Sequence, residues 1–155
     1  MRSTDRVQEY LTQHGVDSKV IELNKSTRTA QMAADAIGTE LGSIVKSLIF
    51  VADDQTVLAL VAGDRRADLT KLGQILAVNK VRIAKADEVR EKTGYAIGGV
   101  PPVGHRHPLP TVIDQSLGRF EIVYAAAGSP RAIFPIQYEK LLELTQGNAT
   151  DITEG

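Results

Sequence analysis

The stretch that most constrains this chain is SIVKSLIFVADDQTVLALVAGD, residues 43–64. Two apolar runs flank a four-residue polar turn, Asp53 to Thr56, and that pattern predicts a β-hairpin of two central strands. In a strand, side chains alternate between faces. Ile44, Lys46, Leu48 and Phe50 therefore share one face, with Val45, Ser47, Ile49 and Val51 on the other. Lys46 sits among three large apolar side chains. A buried ammonium is costly unless an anion or a set of acceptors compensates it, so the position asks for a partner.

The remaining segments mix helices with strands. STDRVQEYLTQHG carries Val7, Tyr10 and Leu11 at helical spacing and ends on Gly15, which predicts a first helix. KVIEL follows as a short strand. TRTAQMAADAIG offers Thr29 as an N-cap, an alanine-rich body and Gly38 as a stop. After the hairpin, Asp68 caps a helix with Leu69, Leu72, Ile75 and Leu76 on one stripe. KVRIA, TVID, RFEIVYAA and RAIFPI read as strands, and DEVREKTG and QYEKLLELT as helices. The fold class expected is α+β, with a mixed, largely antiparallel sheet. At 155 residues, with no repeat or linker, the chain is expected to form one domain over 1–155, and the polar end, 146–155, to be a loose tail.

A formal net charge of -1 gives no overall pull toward nucleic acid, so a polyanion would have to meet a local patch. The absence of cysteine removes disulfides, thiolate metal sites and a cysteine nucleophile together. There is no apolar run of membrane-span length, and MRSTDRVQEY lacks a secretory apolar core, which makes the cytoplasm the default location and a membrane partner unexpected.

One segment breaks the alternation of helix and strand. TGYAIGGVPPVGHRHPLP holds Gly94, Gly98, Gly99 and Gly104 with Pro101, Pro102, Pro108 and Pro110, too many breakers for a helix or central strand. Three features thus occur in order: the lysine strand IVKSLIF, the loop AIGGVPPVGH, and the strand-turn-strand IVYAAAGSPRAIFPI. In this combination the chain resembles the YbaK family, single-domain relatives of the editing domain inserted in bacterial prolyl-tRNA synthetases. The resemblance runs from the first helix to QYEKLLEL, and its most specific marks are Lys46 and the G-x-x-x-P loop from Gly98 to Pro102.

The resemblance implies a strongly curved mixed sheet, a pseudo-barrel, surrounded by helices. It implies hydrolysis in trans of the ester joining a wrong amino acid to tRNA, most often tRNA for proline, without a metal or other cofactor. Aminoacyl-tRNA is the implied partner, with prolyl-tRNA synthetase as a candidate second one. The family pattern has a serine before the loop proline, where this chain has Pro101, and a tyrosine near Val20. Both departures turn the expectation from cysteine toward alanine and similar small residues.

Ester hydrolysis needs a positioned water, oxyanion stabilisation and a grip on the acylated nucleotide. The N–H groups of Gly98, Gly99 and Val100 can point at an oxyanion, while Pro101 and Pro102 stiffen the turn. Lys46 can dock a phosphate as a point charge. The expected catalytic set is Lys46, Gly98 and Gly99. The expected substrate-binding set is Thr29, Ser47, Val100, Pro101, Pro102, His105, Gly128 and Ser129. His105 and His107 lack a third ligand, since the other histidine, His14, lies in the first helix, so no metal site is expected. Ser129 in AAAGSPR is not in a nucleophile-elbow motif and reads equally well as a turn residue. Arg65, Arg66 and Lys71 alternate with Asp64 and Asp68 and read as a solvated helix start. Two rival functions remain: a non-catalytic module binding tRNA ends or a nucleotide, and a metal-dependent hydrolase built on the two loop histidines.

Overall fold

The computed structural model describes residues 2–155. Five helices form where the patterning predicts them: α1 (Ser3–Gln13), α2 (Ala30–Ile37), α3 (Leu69–Leu76), α4 (Ala86–Thr93) and α5 (Tyr138–Thr145). Two of them begin on the expected caps. Thr29 Oγ1 accepts the Met32 N–H at 3.1 Å, and Asp68 accepts the N–H groups of Thr70 and Lys71. Gly38 ends α2 in the left-handed conformation at φ 72°.

Eight strands, β1 (Ile21–Glu22), β2 (Ile44–Ala52), β3 (Gln55–Ala62), β4 (Val81–Ile83), β5 (Thr111–Asp114), β6 (Ile122–Ala126), β7 (Ala132–Gln137) and β8 (Asn148–Thr150), make one mixed sheet. Its order is β1-β7-β6-β2-β3-β5-β8, with β4 joined to β2. Four of the seven pairings are antiparallel, and no pairing between β1 and β8 closes the sheet.

The hairpin of β2 and β3 is the centre. Ala52 pairs with Gln55, so the turn is the two residues Asp53 and Asp54 rather than the four expected. Asp53 takes the left-handed conformation at φ 53°, and its carboxylate accepts the Lys80 N–H at 2.9 Å, which ties the turn to the start of β4. Both faces of the hairpin are covered. Val45, Ile49, Leu58 and Leu60 join the main core with Phe134 and Leu141, whereas Phe50, Ala59 and Val61 pack with Leu72, Val112 and Ile152. Burial on both sides explains why these strands are nearly continuous apolar runs.

Pro135 is tolerated inside β7 for a geometric reason. The carbonyl of Ala132 faces β6, that of Arg131 faces β1, and alternation puts the nitrogen of Pro135 on the β1 side, beyond the reach of that two-residue strand.

The C-terminal segment is not a loose tail. Asn148–Thr150 pair in parallel with Val112–Asp114 of β5, Ile152 is fully buried in the second core cluster, and Glu154 N–H donates to the Arg66 carbonyl. A polar sequence concealed a strand because Ile152 is the one large apolar side chain that residues 146–155 bury.

Candidate active site

The site begins with an interruption in the sheet. β2 pairs with β3 along its length, but its other edge is shared: Ile44 and Val45 meet Tyr124 and Ala125 of β6, while residues 50–52 meet β4. Between them, residues 46–49 face no strand on that edge. The Ile49 carbonyl accepts the Ala84 N–H at 2.9 Å on this side, so alternation points the backbone N–H and C=O of Ser47 into the gap.

A cavity of about 270 Å³ opens there. Ser47, Ile49 and Lys46 of β2 line it with Tyr124 of β6 and Ile83 beside Ala84. The approach to α2, from Thr27 to Ala30, and the loop residues Ile97, Gly98 and Val100 close it over. The lining is largely apolar. The Ser47 hydroxyl is solvent-inaccessible and has no hydrogen-bond partner among the described residues. Such a buried group costs about 1–3 kcal/mol until something engages it.

The glycine loop fits the cavity wall closely. Gly98 has φ 86°, and a Cβ there would lie 2.6 Å from Arg28 Cγ. A Cβ on Gly99 would lie 2.9 Å from the Ser129 backbone. Glycine is therefore required at both positions by close approach. Their amides differ, however. The Gly99 N–H donates to the Ala96 carbonyl at 2.9 Å, so it is not free to serve as the expected oxyanion donor. The N–H groups of Gly98 and Val100 have no acceptor among the described residues.

Of the residues expected from sequence, Thr29, Lys46, Ser47, Gly98 and Val100 line the cavity. Gly99, Gly128 and Ser129 stand behind it as a brace: Gly128 N–H donates to the Gly99 carbonyl at 2.9 Å, and Ser129 accepts the Arg131 N–H on its hydroxyl. Thr29 has its hydroxyl engaged in capping α2. Pro101 and Pro102 are buried. His105 lies in a different depression, with Tyr10 and Pro102, and donates from Nε2 to the Pro101 carbonyl at 2.7 Å. Burial pushes its pKa below the ordinary value, with the Pro101 bond opposing. His105 thus holds the loop's shape and does not form the cavity rim. Among the described residues no cluster of three or more His, Asp or Glu side chains could hold a metal ion.

Lys46 stands at the cavity mouth, half-buried. Its Nζ donates to the Arg65 carbonyl. Burial lowers its pKa, the Arg66 guanidinium lowers it further, and Asp114 and Asp64 oppose that shift. Neither carboxylate is free to pair with it. Asp64 is held by two bonds from Arg119, at 2.9 and 2.7 Å, and Asp114 accepts the Ala62 N–H, the Ser116 N–H and the Ser116 hydroxyl. Among the described residues Lys46 makes no ion pair.

Sequence reasoning did not single out Arg28, Ile83, Ile97 or Tyr124, all of which line the cavity. Arg28 precedes the N-cap Thr29, which is a weak signal. The others become wall residues only through the pairing of β2 with β4 and β6.

The site is thus a largely apolar cavity with two unpaired amide donors and a half-buried cation in its lining. Comparison with known proteins gives the chain a family. Residues 24–144 match the aminoacyl-tRNA editing domain. The chain is 36% identical over 144 residues to "Uncharacterized protein YwhH" of Bacillus subtilis, covering 92% of this chain and 91% of that protein. It is 28% identical to "Putative Cys-tRNA(Pro)/Cys-tRNA(Cys) deacylase EbsC" of Enterococcus faecalis, covering 91% and 88%. A solved structure described as that of "a putative trans-editing enzyme for prolyl tRNA synthetase" superposes with a TM-score of 0.93 at 47% identity, covering 100% of this chain and 99% of that one. The chain belongs to the aminoacyl-tRNA editing domain family.

Proposed function

We propose that this protein is a free-standing deacylase that hydrolyses mischarged aminoacyl-tRNA, with tRNA for proline carrying alanine or a similarly small wrong amino acid as its substrate. The observation that carries the reading is the cavity itself: largely apolar, about 270 Å³, bounded by free amides, with Lys46 at its mouth. That volume is far above what a single water needs and leaves room for a small aminoacyl group.

In this reading Lys46 docks a phosphate near the 3′ end, acting as a point charge. The ester carbonyl oxygen lies toward the N–H groups of Gly98 and Val100, which stabilise negative charge as it develops. Water, activated with help from the substrate's ribose hydroxyl, adds to the carbonyl carbon. The bond to the ribose oxygen then breaks, that oxygen takes a proton, and free amino acid and deacylated tRNA leave. No cofactor enters the step. Prolyl-tRNA synthetase, the source of the mischarged product, is the expected second partner, and the cytoplasm the expected location. The Gly99, Pro101, Pro102, Gly128 and Ser129 group supports the site by holding the loop.

The test is release of amino acid from a panel of mischarged tRNAs, with Lys46→Ala beside wild type. Losing a charge-assisted contact worth about 1.5–3 kcal/mol lowers kcat/KM roughly 10- to 150-fold. Release from none of the panel overturns the hydrolase. Lys46-dependent binding of uncharged tRNA without hydrolysis favours a binding module of the same fold.

A further inference from the structure

Beside the cavity lies a second, more open depression of about 800 Å³. The two share Lys46, Leu48 and Ile83, so the trough runs on from the cavity mouth. One wall is the segment from Gly63 to Leu69, and Phe50 lies on its floor. Two large apolar side chains at this trough are unusually open to solvent, Ile83 at 60% and Leu69 at 44%.

The charges in the trough are unevenly matched. Of its carboxylates, Asp64 is engaged by Arg119, and Asp68 caps α3. Glu154 has no side-chain bond among the described residues. Of its cations, Arg65 donates to the Gly155 carbonyl and stands 3.9 Å from Asp64. The exposed Arg66 has no side-chain partner among the described residues, and its charge acts against that of Lys46. Asp114 and Asp64 offset part of that repulsion at Lys46, but both carboxylates are bound by other donors, so an anion placed between the two cations relieves what remains. Arg66 is also held in place: its carbonyl accepts the Glu154 N–H at 3.0 Å, and the adjoining Ala67 bridges to Thr153. A guanidinium on an anchored backbone is suited to gripping phosphate oxygens.

We propose that Arg66 and Lys46 together clamp phosphates of an unpaired RNA 3′ strand that lies along this trough, its bases resting on Ile83 and Leu69. The inference rests on the deacylase reading for what enters the cavity, and adds the track by which the strand reaches it. It assigns Arg66 as a substrate-binding residue, in place of a solvated helix start. An aliphatic flank beside basic side chains lets unpaired bases cover apolar surface while their phosphates meet the cations. Glu154, at the same trough, is a like charge to the strand and opposes it.

The test compares two substrates, alanyl-tRNA for proline and a 3′-alanyl ester of adenosine with no phosphate. The expected result for Arg66→Gln is a loss of kcat/KM about tenfold larger on the tRNA than on the adenosine ester, falling mainly on KM. The slope of log(kcat/KM) against log salt becomes shallower by roughly 0.7 for one lost single-strand phosphate contact. Glu154→Gln, a change of opposite sign, lowers KM for the tRNA. Equal effects of Arg66→Gln on both substrates, or none on either, overturn the clamp. If wild type hydrolyses neither ester, the deacylase reading fails separately. The clamp is then read from binding of an uncharged acceptor-stem hairpin with a 3′ overhang, which wild type binds about tenfold more tightly than Arg66→Gln, and equal binding overturns it.

Discussion

Lys46 on β2 and Asp114 on β5 are both charged residues in interior strands of one sheet, and the structure treats them oppositely. Asp114 is 1% exposed and its carboxylate accepts three hydrogen bonds from its own chain, from Ala62 N–H, Ser116 N–H and the Ser116 hydroxyl. Lys46 is only half-buried, reaches one backbone carbonyl and pairs with no carboxylate among the described residues. A charge whose partners are all internal is part of the scaffold. One that borders a cavity with its bonding incomplete is left to bind something else. Ser47, next to Lys46, repeats the pattern in neutral form, with a buried hydroxyl that nothing among the described residues engages.

The sharpest way to break the comparison is to exchange stability for activity at the two charges. Asp114→Ala leaves the buried Ala62 N–H and the part-buried Ser116 N–H unpaired and is expected to cost about 3 kcal/mol in denaturant unfolding. Lys46→Met keeps the apolar stem and is expected to change stability by less than about 1 kcal/mol, while abolishing most deacylation. A Lys46→Met cost as large as that of Asp114→Ala would make Lys46 a scaffold residue.

A smaller effect is expected in the pH profile. Burial and Arg66 lower the pKa of Lys46 from its ordinary 10.5, so its charge is lost at lower pH than that of an exposed lysine. If charged Lys46 docks phosphate, kcat/KM on tRNA, corrected for uncatalysed hydrolysis, falls as pH rises through that lowered value. Arg66→Gln removes one lowering influence and moves this limb to higher pH. A limb that stays put or moves down would detach Lys46 from substrate docking.

The smallest expected effect concerns Ser47. Removing an unpartnered hydroxyl loses no internal bond, so Ser47→Ala is expected to alter stability by no more than about 0.5 kcal/mol, or to raise it slightly, while slowing deacylation several-fold. Destabilisation above about 2 kcal/mol in thermal or denaturant melts would show that the hydroxyl already has a partner.

The helices, the central hairpin and the lysine strand were legible in the sequence because each is signalled within a few residues, by apolar period, cap or stop. Thr29, Asp68 and Gly38 act where local chemistry predicts. The candidate site was legible only in part. Gly98 and Gly99 are adjacent and chemically identical, yet one amide is free and the other bonds to Ala96. His105, next in interest by chemistry alone, turns its imidazole inward to Pro101. Arg66 looked balanced by Asp64 and Asp68 on the sequence, but those carboxylates are taken by Arg119 and by the start of α3.

By itself, then, the sequence determined the five helices and every strand but β8, and that Lys46 breaks the apolar pattern of β2. Tertiary structure alone decided that β6 and β4 divide one edge of β2 and leave a gap at Ser47, that the last residues add a strand to β5, and that Lys46 and Arg66 face one trough. The physical reason is that side-chain period and caps act over one or two turns of chain. Strand neighbours and competition for hydrogen-bond partners are settled between residues far apart in sequence, and only the folded chain brings them into contact.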